Sequence, residues 1–594
     1  MDSVKKDVTE RFADAVRTAC GVEVSLDTIK LETPPTSDLG DFAIATFFLA
    51  KECAKSPQMI AGGITAALVS DDSIASASAV GPYVNITLTD AARGQLITAV
   101  QEYLSNPASQ EKGTTLIEYF HANTHKAVHI GHVRNITMGE AIARLLEWSG
   151  KNVVRVNYQG DIGPHVAKCI WGFMRLCGGG DGDPRGMSDA GISDELAHLM
   201  SDVRCRRAGE GQGAWLSRVY SAAHHASEQS EEIAAEIKDL NKKLYDGDPD
   251  LMKVWKLTRQ WCLDDFDRMY KEFGLKFDRL YFESEVEKRG LELVHELVKT
   301  GVAKESQGAL IMDFSDTDLG VLVLVTGAGT ALYGAKEVAL AELKTKEYKN
   351  ITKSFHLVGE EQTLYFRQII ETLKRMNAPL AEKSEHIVYG LVRLPEGKMS
   401  SREGTVILYE DLLNELMQLS REETGSRHAD WNEEQVDATA RAISLAAIKF
   451  EMLKADGKKT IIFDTKRAID LHGDTGPYLL YTFARMNSIL RKAKTESKKC
   501  EWSLLNSPDE RAVLSLLMRT GDFVSQAASE YRPSLVLHHL LDLAKTFNTF
   551  YHEHRVLEAE TPALRDARLM LVKTVGEQLR LGLGFLGIAT LDEM

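Results

Sequence analysis

Two short clusters, far apart in the chain, carry residue types suited to holding a polyphosphate. His129-Ile130-Gly131-His132 offers two imidazoles that can donate hydrogen bonds to phosphate oxygens, around a glycine that lets a ligand approach the backbone closely. Lys398-Met399-Ser400-Ser401 offers a charged amine and two hydroxyls. It lies in Leu394–Gly404, where Pro395, Gly397 and Gly404 predict an irregular, mobile loop. A flexible lysine there can close over phosphates and stabilise the charge that builds on them. Alone, either tetrapeptide reads as ordinary solvated chain. The pair, in this order in one long chain, favours the nucleotide reading. Histidines at 121, 125, 129 and 132 also raise a zinc site. There is no His-Glu-x-x-His arrangement and no cysteine close in sequence, so zinc is disfavoured and no metal site is expected.

The first cluster needs a scaffold. Thr114-Thr115-Leu116-Ile117-Glu118-Tyr119 is β-branched and apolar and reads as a buried strand. After a polar stretch, His121 to Lys126, the apolar spacing turns helical from Gly131 to Trp148, and Gly150 suits a C-terminal stop. Val153 to Tyr158 reads as a second strand. Strand, turn, helix and strand make a βαβ unit with a parallel sheet, and its strand-to-helix turn is where ligands bind. The helix start adds free N–H groups and partial positive charge.

At 594 residues the chain is long enough for several domains, and 44% apolar with 26% charged residues is an ordinary globular composition. No apolar run is long enough to cross a membrane, and the N-terminus lacks a signal-peptide core. Seven cysteines without Cys-x-x-Cys spacing, including the loose group Cys169, Cys177 and Cys205, predict reduced thiols in a cytoplasmic protein. A net charge of −15 argues against promiscuous RNA binding but leaves room for a basic patch. Residues 1–108 predict a small domain, 113–412 hold both motifs, and 413–594, amphipathic and poor in Gly and Pro, predict a helical bundle. Gly178-Gly179-Gly180-Asp181-Gly182-Asp183 predicts a surface loop, not a phosphate cradle, since no Lys-Ser or Lys-Thr follows.

The two motifs together resemble the signatures of class I aminoacyl-tRNA synthetases, and their surroundings resemble the arginyl enzymes along nearly the whole chain. Glu118 to Asn135 is similar to the family's first-motif region, with a Glu and an Asn five residues apart before the histidines. Val156-Asn157-Tyr158-Gln159-Gly160-Asp161-Ile162-Gly163 resembles their Asn-Tyr-x-Gly-Asp-x-Gly segment, and Gly329-Thr330-Ala331-Leu332-Tyr333 their Gly-Thr-x-x-Tyr segment. Asp248 to Trp255, Phe273 to Asp278 and Glu283-Ser284 resemble the end of a helical insertion, expected around 175–285. Gly473 to Tyr481 and Arg565-Asp566-Ala567-Arg568-Leu569 resemble parts of their anticodon-binding domain. Gly40-Asp41-Phe42-Ala43 and Gly81-Pro82-Tyr83-Val84-Asn85-Ile86 resemble their additional N-terminal domain.

The resemblance implies an α/β Rossmann-like catalytic domain with a parallel sheet, a small α+β N-terminal domain that contacts tRNA, and an all-α anticodon-binding bundle. It implies ATP-dependent activation of L-arginine and transfer to tRNA(Arg), with Mg2+ accompanying the nucleotide; a monomer is the default expectation. His129, His132 and Lys398 are the expected catalytic residues. Lys126, Gly131 and Ser400 join them in holding ATP. Glu118, Asn123, Tyr333, Glu337 and Gln362 are expected to contact arginine, whose guanidinium needs carboxylates in fork geometry. Glu337 stands where the family usually has Asp, and Thr326-Gly327-Ala328 replaces a frequent Arg-Ser-Asp. Tyr478, Tyr481, Tyr551 and the terminal Met594 are expected at the RNA, whereas Phe547 and Phe550 are expected to pack inside. Two other readings are a class I synthetase for another amino acid, which the acidic residues disfavour for apolar substrates, and a non-catalytic tRNA-binding relative, which the intact histidines and lysine disfavour.

Overall fold

The computed structural model describes residues 3–177, 211–393, 407–493 and 501–594. Gly178–Asp183, Cys205, Lys398 and Ser400 lie outside them. The chain forms two compact units: one of Met1–Ala108, Leu419–Phe450 and Lys466–Met594, the other of Ser109–Gln418 and Glu451–Thr465.

The second unit is built on five strands: β1 (Thr114–Glu118), β2 (Val153–Gln159), β3 (Arg279–Phe282), β4 (Ile351–Gly359) and β5 (Ser384–Tyr389). They pair in the order β5-β4-β1-β2-β3, every pair parallel. β1 is central and buried through its last four residues, which explains its apolar, β-branched sequence. The strand order reverses between β1 and β4, so their carboxyl ends flank the crevice where open α/β sheets bind ligands. Helix α1 (Ile130–Trp148) follows β1, with Gly150 beyond its end at φ +91°. Between β2 and β3 stand the helices Pro164–Cys177, Gln212–Gln229, Glu231–Tyr245 and α2 (Pro249–Phe273), packed around Trp171, Trp215 and Trp255. Helices α3 (Glu283–Lys299), α4 (Tyr333–Glu347) and α5 (Thr363–Arg375) complete the framework. An antiparallel sheet of Lys304–Ser306, Ala309–Phe314 and Gly320–Val325 joins α3 to α4. Residues 451–465 return to this unit, where β7 (Ile461–Ile462) pairs with β6 (Val392–Arg393).

In the first unit, Phe42–Ala45, Ile74–Val80 and Tyr83–Leu88 form an antiparallel sheet beside the helices Ser3–Cys20, Pro57–Ala67 and Asp90–Ser105. The Gly40-Asp41 pair has a physical reason: Gly40 has φ +127°, and a Cβ there would sit 2.8 Å from the Ile86 carbonyl oxygen. Asp41 accepts the Leu88 N–H at 2.7 Å and pairs with buried Arg93 at 3.0 Å. The helices Gly476–Ala493, Pro508–Leu517, Thr520–Glu530, Pro533–Glu553 and Pro562–Phe585 pack into a bundle, with Phe547 and Phe550 fully buried.

Candidate active site

The turn from β1 into α1 is locally strained in a useful way. Phe120, His121 and His125 all take left-handed backbone angles, at φ 82°, 53° and 62°. Long-range hydrogen bonds hold it there. Asn135 accepts the Phe120 N–H and donates to the Leu357 carbonyl at 2.8 Å and the Tyr389 hydroxyl at 3.0 Å. Asn157 accepts the His121 N–H at 3.1 Å.

His129 caps α1, and the cap is reciprocal. Its Nδ1 accepts the Gly131 N–H at 3.1 Å, while His132 Nδ1 accepts the His129 N–H at 3.1 Å. The two rings lie 3.8 Å apart. Gly131 is required by this packing: a Cβ there would be 2.9 Å from His129 Cε1. Burial, with help from the Lys126 charge, lowers His129 to about 4. Burial and the neighbouring His129 hold His132 well below the usual range. Both imidazoles are therefore neutral at pH 7. With each Nδ1 accepting a backbone N–H, the single ring proton sits on Nε2, and each ring keeps one N–H donor. Lys126 lies 5.4 Å from the Tyr220 ring.

Arg134, fully buried in the first turns of α1, donates to four carbonyl oxygens: Gly390 at 2.6 Å, Leu391 and Lys459 at 3.0 Å, and Gly457 at 3.3 Å. The segment after 406 also meets the first motif, since Ile130 N–H donates to Ile407 and Tyr409 N–H to Val128.

A second cluster grows from the sheet's register. Glu118 stands opposite His356 on β4 and Val156 on β2, so these side chains share a face with Tyr158. That face is covered by α3 and α4. Glu118 is 1% exposed and pairs with Lys344 of α4, itself 1% exposed, while His356 Nδ1 lies 3.3 Å from its other oxygen. Burial pushes Glu118 up, but Lys344 and then His356 pull it below the usual carboxylate range. Glu337, two helical turns before Lys344, lines the same narrow crevice with His356 and Phe366. Burial and the nearby Glu118 push its carboxyl up to about 8.

Asn123 Oδ1 accepts the Gly160 N–H at 3.0 Å, and a Cβ on Gly160 would lie 2.6 Å from that oxygen and 3.1 Å from Glu283 Oε1. Asp161 accepts from the Ser284 N–H at 3.0 Å and hydroxyl at 2.7 Å, tying β2 to the start of α3. Glu283 is buried beside Lys336 at 2.7 Å. Tyr333 opens α4 and is 60% exposed, one turn before Glu337, and Gln362 is exposed at the start of α5.

Glu118 and Glu337 thus form one cluster, His129, Gly131 and His132 form another at the start of α1, and Asn123 holds the turn after β2 at Gly160. Lys344, His356, Glu283, Lys336 and Arg134 are additions that the sequence reading missed. For Lys344 a signal existed, since it falls seven residues after Glu337 on one helical face. Among the described residues no group of three or more His, Cys, Asp or Glu is placed to hold a metal, and no helix is long and apolar enough to cross a membrane.

In the other unit, Asn548 donates to the Tyr478 hydroxyl at 2.9 Å, and Arg485 donates to Asn548 at 2.8 Å and to the Tyr481 hydroxyl at 3.1 Å. The Arg485 guanidinium lies 4.7 Å from the Tyr481 ring and 5.7 Å from the Tyr551 ring. Arg485, Asn548 and Tyr551 line a cavity with His552, His554 and Arg555. Met594 is half-buried at the chain end, and Asn487 and Arg491 hold the preceding Asp592 and Glu593.

Comparison with known proteins agrees with this anatomy. Residues 5–88 match the arginyl tRNA synthetase N terminal domain, 95–176 and 196–465 the class I (R) tRNA synthetase catalytic domain, and 479–594 the DALR anticodon binding domain. The arginine–tRNA ligase of Bdellovibrio bacteriovorus is 33% identical, covering 100% of this chain and 99% of its own. That of Phocaeicola vulgatus is 29% identical over 100% of both. The arginyl-tRNA synthetase structure of Thermus thermophilus superposes with a TM-score of 0.79 at 27% identity, covering 99% of this chain and 100% of that one. The Plasmodium falciparum structure shares the fold at TM-score 0.74 and 18% identity, covering 100% of both. A Rossmann-type sheet with a histidine-capped helix at its switch point, in a chain matched from end to end, makes this protein a member of the class I arginyl-tRNA synthetase family.

Proposed function

We propose that the crevice between β1 and β4 joins L-arginine to ATP and passes the activated arginine to tRNA(Arg). One juxtaposition carries this reading: two neutral imidazoles that keep an Nε2–H donor at a helix start, after the strand whose last residue, Glu118, is buried near Glu337. ATP phosphates sit at the start of α1, against His129, His132 and the backbone at Gly131, with Lys126 adding charge. Lys398 and Ser400, by their place in the second motif, close on the same phosphates. Mg2+ bound with the nucleotide would neutralise charge on its phosphates. The arginine side chain enters among Glu118, Glu337, Tyr333 and Gln362, with Asn123 beside its α-amino end.

The arginine carboxylate oxygen attacks the α-phosphorus, and the bond to the bridging oxygen breaks to release pyrophosphate. A hydroxyl of the terminal adenosine, the 2′-hydroxyl in this class, then attacks the acyl carbonyl and AMP leaves. The protein forms no bond to either intermediate. It positions the reactants and supplies donors to the growing negative charge. Neutral histidines suit this role, since they donate without having to hold a proton against burial.

Tyr478, Tyr481, Tyr551 and Met594 are proposed to meet the anticodon loop, whose unstacked bases pack on aromatic and arginine planes. The proposed parts are 1–108, 113–412 with the helical insertion around 175–285, and 413–594. The enzyme is proposed to be a cytoplasmic monomer that activates arginine only with tRNA bound. The test is attachment of labelled arginine to total tRNA with ATP and Mg2+, with lysine and glutamine as controls. Arginine-only charging, abolished by Lys398→Ala with tRNA binding retained, is the expected result. No charging with any amino acid, with tRNA still bound, overturns the catalytic reading.

A further inference from the structure

A guanidinium carries five N–H donors in one plane, and a bidentate carboxylate takes only two of them. A pocket that encloses the group must supply further acceptors, or leave buried donors unpaired. The carboxylates here are not all available. Both oxygens of Glu118 are already engaged, one by Lys344 and the other by His356. Glu283 is paired with Lys336.

Two phenols on the same face are not engaged. The hydroxyls of Tyr158 on β2 and Tyr365 on α5 are shut off from solvent and have no hydrogen-bond partner among the described residues. Burying a hydroxyl in this way costs about 1–3 kcal/mol when nothing bonds it. The two come from different elements yet face the same groups. Each lies in the field of Glu337, Glu283 and Glu118, and Tyr158 also feels Tyr365. Other buried tyrosines here are satisfied. Tyr119 donates to Glu140 at 2.9 Å and Tyr281 to Glu347 at 2.8 Å. Among the described residues, these two are the buried tyrosine hydroxyls left without a partner.

We propose that Tyr158 and Tyr365 are specificity residues for arginine, their phenol oxygens accepting the guanidinium N–H groups that Glu337 leaves unpaired. The proposal rests on the reading that this pocket takes arginine, and it deepens that reading. It explains how the site separates arginine from lysine. An ammonium has three donors radiating from one atom, so it satisfies a carboxylate and leaves planar phenol acceptors unmatched.

The experiment uses Tyr158→Phe and Tyr365→Phe in the full chain, which remove one oxygen each and keep the ring. Charging of tRNA is measured against arginine and ATP concentration, and thermal unfolding is measured without substrates. The expected result is a rise in KM for arginine of about 10-fold or more in each variant, as for loss of a hydrogen bond to a charged group. KM for ATP stays within about twofold, and Tm stays level or rises, because an unpaired buried hydroxyl has been removed. Unchanged KM for arginine in both variants, with the wild-type enzyme charging arginine normally, overturns the proposal alone. A clear fall in Tm, or failure to fold, also overturns it, by showing the hydroxyl to be structural. A wild-type enzyme that charges no arginine overturns the parent reading, and this one with it.

Discussion

Replacing Lys344 by methionine tests the electrostatics of the pocket most directly. The lysine and Glu118 are each 1% exposed, and methionine keeps most of the lysine's length while deleting its charge. Glu118 would then be a buried carboxylate with Glu337 nearby and two imidazoles, His356 and His121, whose own proton affinities burial lowers. Removing one partner of a buried pair typically costs about 3–5 kcal/mol. At about 1.36 kcal/mol per pKa unit, that is a shift of roughly two to four units in the remaining carboxylate. The loss must therefore depend on pH. In the wild-type fold Glu118 titrates below its ordinary 4.5, so its contribution is present above that value and lost only in acid. In Lys344→Met it titrates above 4.5, so its contribution is present in acid and lost as pH rises. The gap between the two proteins should open in acid, above the lowered pKa of wild-type Glu118, and level off once the pH passes the raised pKa of the variant. Five of the tryptophans, Trp148, Trp171, Trp215, Trp255 and Trp261, belong to the catalytic unit, so urea unfolding followed by tryptophan fluorescence reports mainly on it. The double variant Glu118→Gln/Lys344→Met should recover most of the loss, giving a large coupling energy. A single variant within about 1 kcal/mol of wild type at pH 8, or a gap that does not shrink as the pH is lowered into acid, refutes the reasoning.

Gly131→Ala should force the His129 ring off its cap and lower arginine-dependent pyrophosphate exchange, measured with tRNA present, by about 10²–10³-fold, the scale of a lost transition-state donor; a loss under tenfold speaks against the placement of ATP. Glu337, raised to about 8, contributes most to stability in acid and loses that contribution as pH climbs from about 4.5 towards 8. Glu337→Gln should flatten that decline in a Tm-versus-pH series, and arginine binding near neutral pH should release a proton in wild type only, measured by calorimetry in buffers of different ionisation enthalpy. Tyr551→Ala should weaken tRNA binding by about 1–3 kcal/mol, the usual worth of a stacked base, while leaving KM for arginine unchanged in charging assays. Equal tRNA affinity in filter binding would remove Tyr551 from the interface.

Local pattern was a good guide where one stretch of chain determines the outcome. The strand at Thr114, the helix ending at Trp148 and the strand at Val153 all stand where apolar spacing and Gly150 put them. The helix start is set by the histidines themselves, through caps that span only two and three residues. The pocket's inner partners were illegible for the opposite reason. Lys344 meets Glu118 across 226 residues, and His356 across 238. The one local sign of Lys344 was its place on the Glu337 face of a helix rich in lysine and glutamate; in residue type it matches Lys346, which makes an exposed pair with Glu342. The return of 451–465 to the catalytic unit was also hidden, because β7 is only two residues long.

The four carbonyl contacts of Arg134 set an order of events in folding. Its acceptors lie between 256 and 325 residues downstream, and they include Gly457 and Lys459 from the segment that returns after the chain has left the unit. Among the described residues no carboxylate pairs with this guanidinium, and its native acceptors are these distant carbonyls. At a synthesis rate of about 5–20 residues per second, roughly 16–65 s separate translation of Arg134 from that of its last acceptor. During that interval the early βαβ unit carries a charge that cannot be buried at low cost, so the nucleotide end of α1 stays open until the catalytic unit is complete. A truncated chain ending before residue 457 should therefore show the sheet's secondary structure without a formed ATP site.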